Sequence, residues 1–131
     1  MQDVIRVGVI EGQALFRDAW TWIVASPDLA LVVVAGSAEE LPHAPCDVVV
    51  IDVDGLREPC ASVIRQVRSR VGQAAVCALT LHPTLDVLAS RLHGEASIVL
   101  KSASPAQVCA AIRNAHNENG AVHQSSVRTA P

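Results

Sequence analysis

Four residues far apart in the sequence, Glu11, Asp52, Thr80 and Lys101, are where this chain could do chemistry. Each stands at the C-terminal end of a short apolar run: Val7-Gly8-Val9-Ile10, Val48-Val49-Val50-Ile51, Val76-Cys77-Ala78-Leu79 and Ser97-Ile98-Val99-Leu100. Two carboxylates, a hydroxyl and an ammonium form a coherent set if they meet. The carboxylates of Glu11 and Asp52 suit a hard divalent cation such as Mg²⁺, which takes oxygen ligands. The hydroxyl and the ammonium suit the oxygens of a phosphoryl group placed on Asp52. A carboxylate nucleophile that accepts a phosphoryl group, with a metal bridging the charge, is the chemistry this inventory allows. Taken singly, Thr80 is an ordinary strand former and Lys101 a solvated charge. Only a shared position gives them a role.

A parallel sheet would supply that position, because it delivers the C-terminal ends of its strands to one rim, where ligands sit in open α/β folds. The sequence predicts strands at 4–10, 29–35, 48–51, 74–79 and 96–100, each β-branched or otherwise apolar and bounded by turn residues. Helices are expected between them. Leu15, Ala19, Trp22 and Phe16, Trp20, Ile23 repeat at helical spacing over 14–25, and Pro27 stops that run. Ser37 caps a second helix that Pro42 and Pro45 cut to little more than a turn. A third runs from Pro59 to about Arg70, with Val63, Ile64 and Val67 inward and Gly72 beyond its end. A fourth spans Thr84 to His93, and Ser104-Pro105 opens a fifth that ends near His116. Residues 1–118 are then one domain and 119–131 a polar linker or tail. Alternating strands and helices imply an α/β fold, a doubly wound five-stranded parallel sheet.

Composition narrows the classes. Of 131 residues half are hydrophobic and 18% charged, enough for a substantial core, and the net charge of −3 lacks the basic stripe that nucleic acid requires. No signal-peptide shape or membrane-length apolar run is present, so the expected location is cytoplasmic. Cys46, Cys60, Cys77 and Cys109 have no metal-ligand spacing and are expected as buried free thiols. The histidines are scattered. Trp20 is expected in the core, and Trp22, partly off that face, is a candidate for a dimer surface.

The segments Ile5–Glu11, Leu15-Phe16-Arg17, Cys46–Asp52, Ala78-Leu79-Thr80, Ala96–Lys101 and Ser104 to Ile112 together resemble the receiver domains of two-component response regulators, most closely the NarL/FixJ-type transcriptional regulators. The likeness covers Ile5 to about Gly120. It implies flavodoxin-like strand order 2-1-3-4-5, with Asp52 as phosphoacceptor, Thr80 as switch hydroxyl and Lys101 as the lysine that contacts the phosphoryl group. It also implies Glu11, Asp52 and Asp54 as the Mg²⁺ ligands, Asp54 through its backbone carbonyl. The implied partners are a sensor histidine kinase and a second copy of the chain as a homodimer. DNA would be reached only through a C-terminal helix-turn-helix absent from this chain, and no membrane is involved.

Departures from the pattern shape the expected activity. The second member of the acidic pair is Gly12, the residue after Thr80 is the bulky Leu81, and Ile98 stands where a switch aromatic belongs in a chain without tyrosine. Mg²⁺ tolerates poor coordination badly, so its binding is expected to be weak or absent. The reading is an atypical signal-input domain controlling dimerisation or effector output, not an independent enzyme, with at most self-phosphorylation on Asp52. Lys101 could pair with Asp52 in the resting state and neutralise the pocket without metal. The alternative is a protein- or small-ligand-binding module that works without phosphorylation, stand-alone or redox-responsive. A flavin or cobalamin domain is disfavoured, because no phosphate-cradling loop follows the first strand and no Asp-x-His-x-x-Gly occurs.

Overall fold

The structure is a computed structural model. It describes the backbone of residues 3–129 and the side chains of residues 3–121. Five strands, β1 (Ile5–Ile10), β2 (Leu29–Ala35), β3 (Val48–Asp52), β4 (Ala75–Thr80) and β5 (Ser97–Leu100), form one sheet in the order β2-β1-β3-β4-β5. All four pairings are parallel. The doubly wound, flavodoxin-like arrangement expected from the sequence is what forms.

The central strand explains the layering. In β3, Val48, Val49, Val50 and Ile51 are at most 1% exposed, so the run is apolar throughout because both of its faces are covered. Side chains alternate across a strand. Val49 and Ile51 therefore enter one core with Val63, Ile64, Val67 and Val71 of α3 (Cys60–Val71) and Val87 of α4 (Leu85–Leu92). Val48 and Val50 enter the other, with Trp20 and with Val108, Ile112 and Ala115 of α5 (Pro105–Thr129). Each of the buried valine and isoleucine side chains here stabilises the fold by about 1.5–3 kcal/mol. Gly8 of β1 sits in close packing: a Cβ there would lie 3.0 Å from Cys46 Sγ and 3.3 Å from Val33 Cγ1, so either neighbour would have to shift. The four cysteines are buried and free.

Helix ends are fixed by side chains. Thr84 Oγ1 accepts the Val87 N–H at 3.3 Å to start α4. At α5 the Ser104 hydroxyl accepts the Gln107 N–H at 3.2 Å, while Gln107 Oε1 accepts the Ser104 N–H at 2.8 Å. That reciprocal pair satisfies two orphan donors, one on each side of Pro105. The first N–H of α3 is capped from another helix: Cys60 N–H donates to Asp86 Oδ2 of α4 at 2.8 Å.

Three local expectations change. The helix expected over 14–25 is two short ones, α1 (Ala14–Arg17) and α2 (Trp20–Ile23). Between them Ala19 N–H bonds to the Phe16 carbonyl and Thr21 N–H to that of Asp18, three residues back, so the coil tightens there. Of the two predicted apolar faces only Trp20 is fully buried; Leu15 and Trp22 are exposed. The second helix is a single 3₁₀ turn (Ala38–Glu40), short as expected, but Ser37 does not cap it. Glu40 instead folds back to accept the Gly36 N–H at 2.9 Å. The last helix, expected to stop near His116, continues to Thr129. Polar residues on exposed turns do not end a helix, and Gly120 costs only about 1 kcal/mol. The expected boundary between 118 and 119 falls inside this helix, and residues 130–131 lie outside the described residues. Among the described residues no helix is long and apolar enough to cross a membrane.

Candidate functional site

Strand register brings the four chemistry-bearing residues to one edge. Ile10 is paired with Ile51, Asp52 with Leu79, and Thr80 with Leu100. Glu11, Asp52, Thr80 and Lys101 thus leave the sheet at the same rim. Beyond the strands the backbone still pairs, with Glu11 N–H on the Ala35 carbonyl, Val53 N–H on that of Leu79 and Lys101 N–H on that of Thr80. Glu11, Asp52 and Thr80 are all buried.

Lys101 joins the acidic groups. Its ammonium lies 3.0 Å from Asp52 Oδ2 and 2.9 Å from Asp54 Oδ2. The pairing of Lys101 with Asp52 expected for the resting state is present, and Asp54 shares it. Asp54 is placed by a turn: its N–H donates to Asp52 Oδ1 at 3.1 Å, and Gly55 follows at φ 82°, a conformation that glycine adopts without strain. The carboxylate of Asp54 then collects three donors. Oδ1 accepts the Thr80 hydroxyl at 2.6 Å, and Oδ2 accepts the Leu81 N–H at 2.9 Å along with the Lys101 ammonium. Thr80 Oγ1 is also 3.1 Å from the His82 carbonyl, but a hydroxyl has one proton, and the shorter charge-assisted contact takes it.

These contacts set the local electrostatics. Partial burial pushes the Asp54 carboxyl up, but hydrogen bonds from Thr80, Lys101 and Leu81 outweigh it and hold the group below its ordinary value. Burial likewise pulls the Lys101 ammonium down, while its bonds to Asp54 and Asp52 reverse the effect and raise it. Both groups are therefore charged at neutral pH.

Glu11 reaches the rim but is engaged elsewhere. Its Oε1 accepts the Trp20 indole N–H at 3.2 Å and its Oε2 accepts the Gln13 N–H at 3.3 Å. Arg17 closes over this turn, donating from Nε to the Glu11 carbonyl at 3.0 Å and from Nη2 to that of Gly12 at 3.4 Å. Beside it lies a cavity of ≈ 450 Å³ walled mainly by Phe16, Trp20, Ile23, Leu81, Leu100 and Val108, with Glu11, Asp52 and Lys101 also in its lining. Leu81 is mostly exposed and walls this cavity, while Ile98 is half-buried against the core that α3 covers.

The donors do not suit Mg²⁺ as they stand. Glu11 serves Trp20 and Gln13, Gly12 has no side chain, and the Asp54 carboxylate is turned to Thr80, Leu81 and Lys101. A cation is already between the carboxylates, but it is an ammonium. Among the described residues no three His, Cys, Asp or Glu side chains converge on a metal position.

Two participants were not anticipated from the sequence. The Trp20 indole looked like plain core, and the Leu81 N–H is a backbone group with no side-chain signature. The signal for Asp54 is the Asp-x-Asp-Gly pattern, which points to a metal ligand, whereas its carboxylate serves Thr80, Leu81 and Lys101.

No family model and no curated protein matches the chain. Solved structures do. A response regulator receiver domain protein from Clostridium thermocellum is 20% identical, with 91% of this chain and 99% of that one covered at a TM-score of 0.70. The signal receiver domain of the putative response regulator NarL from Mycobacterium tuberculosis is 20% identical over 88% and 98% of the two chains, at 0.70. A LuxR-family two-component response regulator from an Aurantimonas species is 22% identical over 88% and 87%, at 0.72. The chain has the fold of these receiver domains.

Proposed function

We propose that this chain is an atypical signal-input receiver domain of a NarL/FixJ-type transcriptional response regulator, controlling dimerisation or effector output with weak or absent Mg²⁺-dependent phosphorylation of Asp52. The observation that carries this reading is the rim itself: Asp52, Thr80 and Lys101 gathered from three strands, with the Lys101 ammonium 3.0 Å from Asp52. Asp52 is the phosphoacceptor position, Thr80 the switch hydroxyl and Lys101 the phosphoryl contact. Weak metal use follows from the donors, because Lys101 supplies the positive charge and Glu11 is held by Trp20. The domain is not an independent enzyme and at most phosphorylates itself from a donor. Its partners are a sensor histidine kinase and a second copy of itself. It acts in the cytoplasm, with residues 119–131 as the linker toward a DNA-reading domain. The test is incubation with a small acyl phosphate and Mg²⁺ followed by intact-mass measurement. Slow, substoichiometric labelling at Asp52 is expected, and rapid stoichiometric labelling overturns the atypical reading.

A second reading, a small-ligand-binding module independent of phosphorylation, is favoured by one observation. The cavity next to Asp52 has mainly apolar walls with a few polar groups, the usual makeup of a small-molecule site. Asp52→Asn separates the two: regulation that survives this change makes the phosphoryl group dispensable.

A further inference from the structure

We propose that Thr80, the Leu81 N–H and Lys101 form an oxyanion-binding site already filled by a tethered anion of this chain, the carboxylate of Asp54. It rests on the receiver reading only for the signalling consequence; the site itself stands on the contacts.

A hydroxyl at 2.6 Å, a backbone N–H at 2.9 Å and an ammonium at 2.9 Å converge on the two oxygens of one carboxylate. Thr80 and Leu81 are consecutive at the end of β4, and the pairing of Thr80 with Leu100 brings the Lys101 ammonium to them from the next strand. Donors of this kind, one neutral hydroxyl, one amide and one cation, suit a small oxyanion in general, and a carboxylate or a phosphoryl group fills them on the same terms. Asp54 is delivered to them by the turn at Asp52–Gly55. Because it is part of the chain, its effective concentration at the site is in the millimolar range or above, and a free anion must displace it.

Two consequences follow. Thr80 is held toward the rim with no phosphoryl group present, since its single proton is committed to Asp54 over the His82 carbonyl. In addition, a phosphoryl group arriving on Asp52 meets donors that are already taken. The chain thus carries its own stand-in for the ligand, and Asp54 sets how readily an external oxyanion competes.

The experiment titrates inorganic phosphate, without metal, into the wild-type chain, Asp54→Ala, Asp54→Asn and the double variant Asp54→Ala/Thr80→Val. Calorimetry gives affinity, and the Leu81 backbone amide is followed by ¹H–¹⁵N NMR. Asp54→Ala is expected to bind phosphate about tenfold or more tightly than wild type, by the tethered-competitor argument. Its Leu81 amide should lose the downfield position of a carboxylate-bonded proton and regain it as phosphate is added. Adding Thr80→Val should remove the gain. Asp54→Asn keeps the shape and the fold but not the charge, and the same comparison applies to it if the alanine variant unfolds. Equal phosphate affinity in wild type and folded Asp54 variants, or an unmoved Leu81 amide, overturns the proposal. The two readings fail separately. A phosphate gain together with rapid, stoichiometric labelling of Asp52 by the acyl phosphate sinks the atypical-receiver reading and leaves the site, whereas slow labelling with equal phosphate affinities sinks the site alone.

Discussion

Replacing Lys101 with methionine removes one charge while keeping most of the side chain's volume, so it isolates what the ammonium does at the rim. In the folded chain that ammonium lies 3.0 Å from buried Asp52 and 2.9 Å from Asp54. Without it two carboxylates remain close together with no cation between them. Breaking a buried ion pair by deleting one partner costs about 3–5 kcal/mol. The Lys101 side chain is 23% exposed, so water screens part of this, and a loss of about 2–3 kcal/mol at pH 7 is expected. The pH dependence has a definite sign. Asp54 titrates below its ordinary value in the fold, so its contribution is present above the unfolded value near 4 and fades as pH falls through the folded one. Lys101 titrates above its ordinary value, so its contribution is present below the unfolded value near 10.4 and fades as pH rises through the folded one. The gap between wild type and Lys101→Met should therefore be widest between about pH 5 and 9 and shrink on acidification. Urea denaturation followed by circular dichroism at pH 7 and pH 4 reads it directly. A variant as stable as wild type at pH 7, or a gap that widens at pH 4, would refute the bridging role.

Two further outcomes are expected. Trp20→Phe keeps an aromatic side chain but removes the indole N–H from Glu11 Oε1 and some buried volume, costing at least about 1–3 kcal/mol in urea denaturation; an unchanged midpoint would mean that bond is not formed in solution. Gly12→Asp adds a carboxylate at an exposed position where the nearest contact to a new Cβ is the Gly36 carbonyl at 4.0 Å. It should fold normally and raise Mg²⁺ affinity by at least about tenfold in a calorimetric titration, and no change would count against the rim as a metal edge.

Much of this molecule was legible because its strands are short, apolar and punctuated. β2 was delimited to the residue, and β3 was readable as a two-faced strand because Val48 through Ile51 offer no polar alternation. Strand ends carry the chemistry in a parallel sheet, so locating the strands also located Glu11, Asp52, Thr80 and Lys101. What the sequence hid is of two kinds. Helical spacing over 14–25 does not distinguish one helix from two tightened turns, because only tertiary contacts such as the Trp20–Glu11 bond decide which side chains bury. Side-chain direction was the other gap. Asp54 is two residues from Asp52, and nothing local states that its carboxylate crosses to Thr80 and Leu81 of a neighbouring strand end.

The bond from Cys60 N–H to Asp86 ties the start of one helix to the first turn of the next, like a strut between two floors. Asp86 lies six residues beyond Thr80, on the segment that leads from that strand end into α4. Any swing of α4 large enough to pull Asp86 away would strip α3 of its cap, at a cost of about 0.5–2 kcal/mol. A displacement of α4 on that scale would come either together with α3 or at the expense of the bond that starts it.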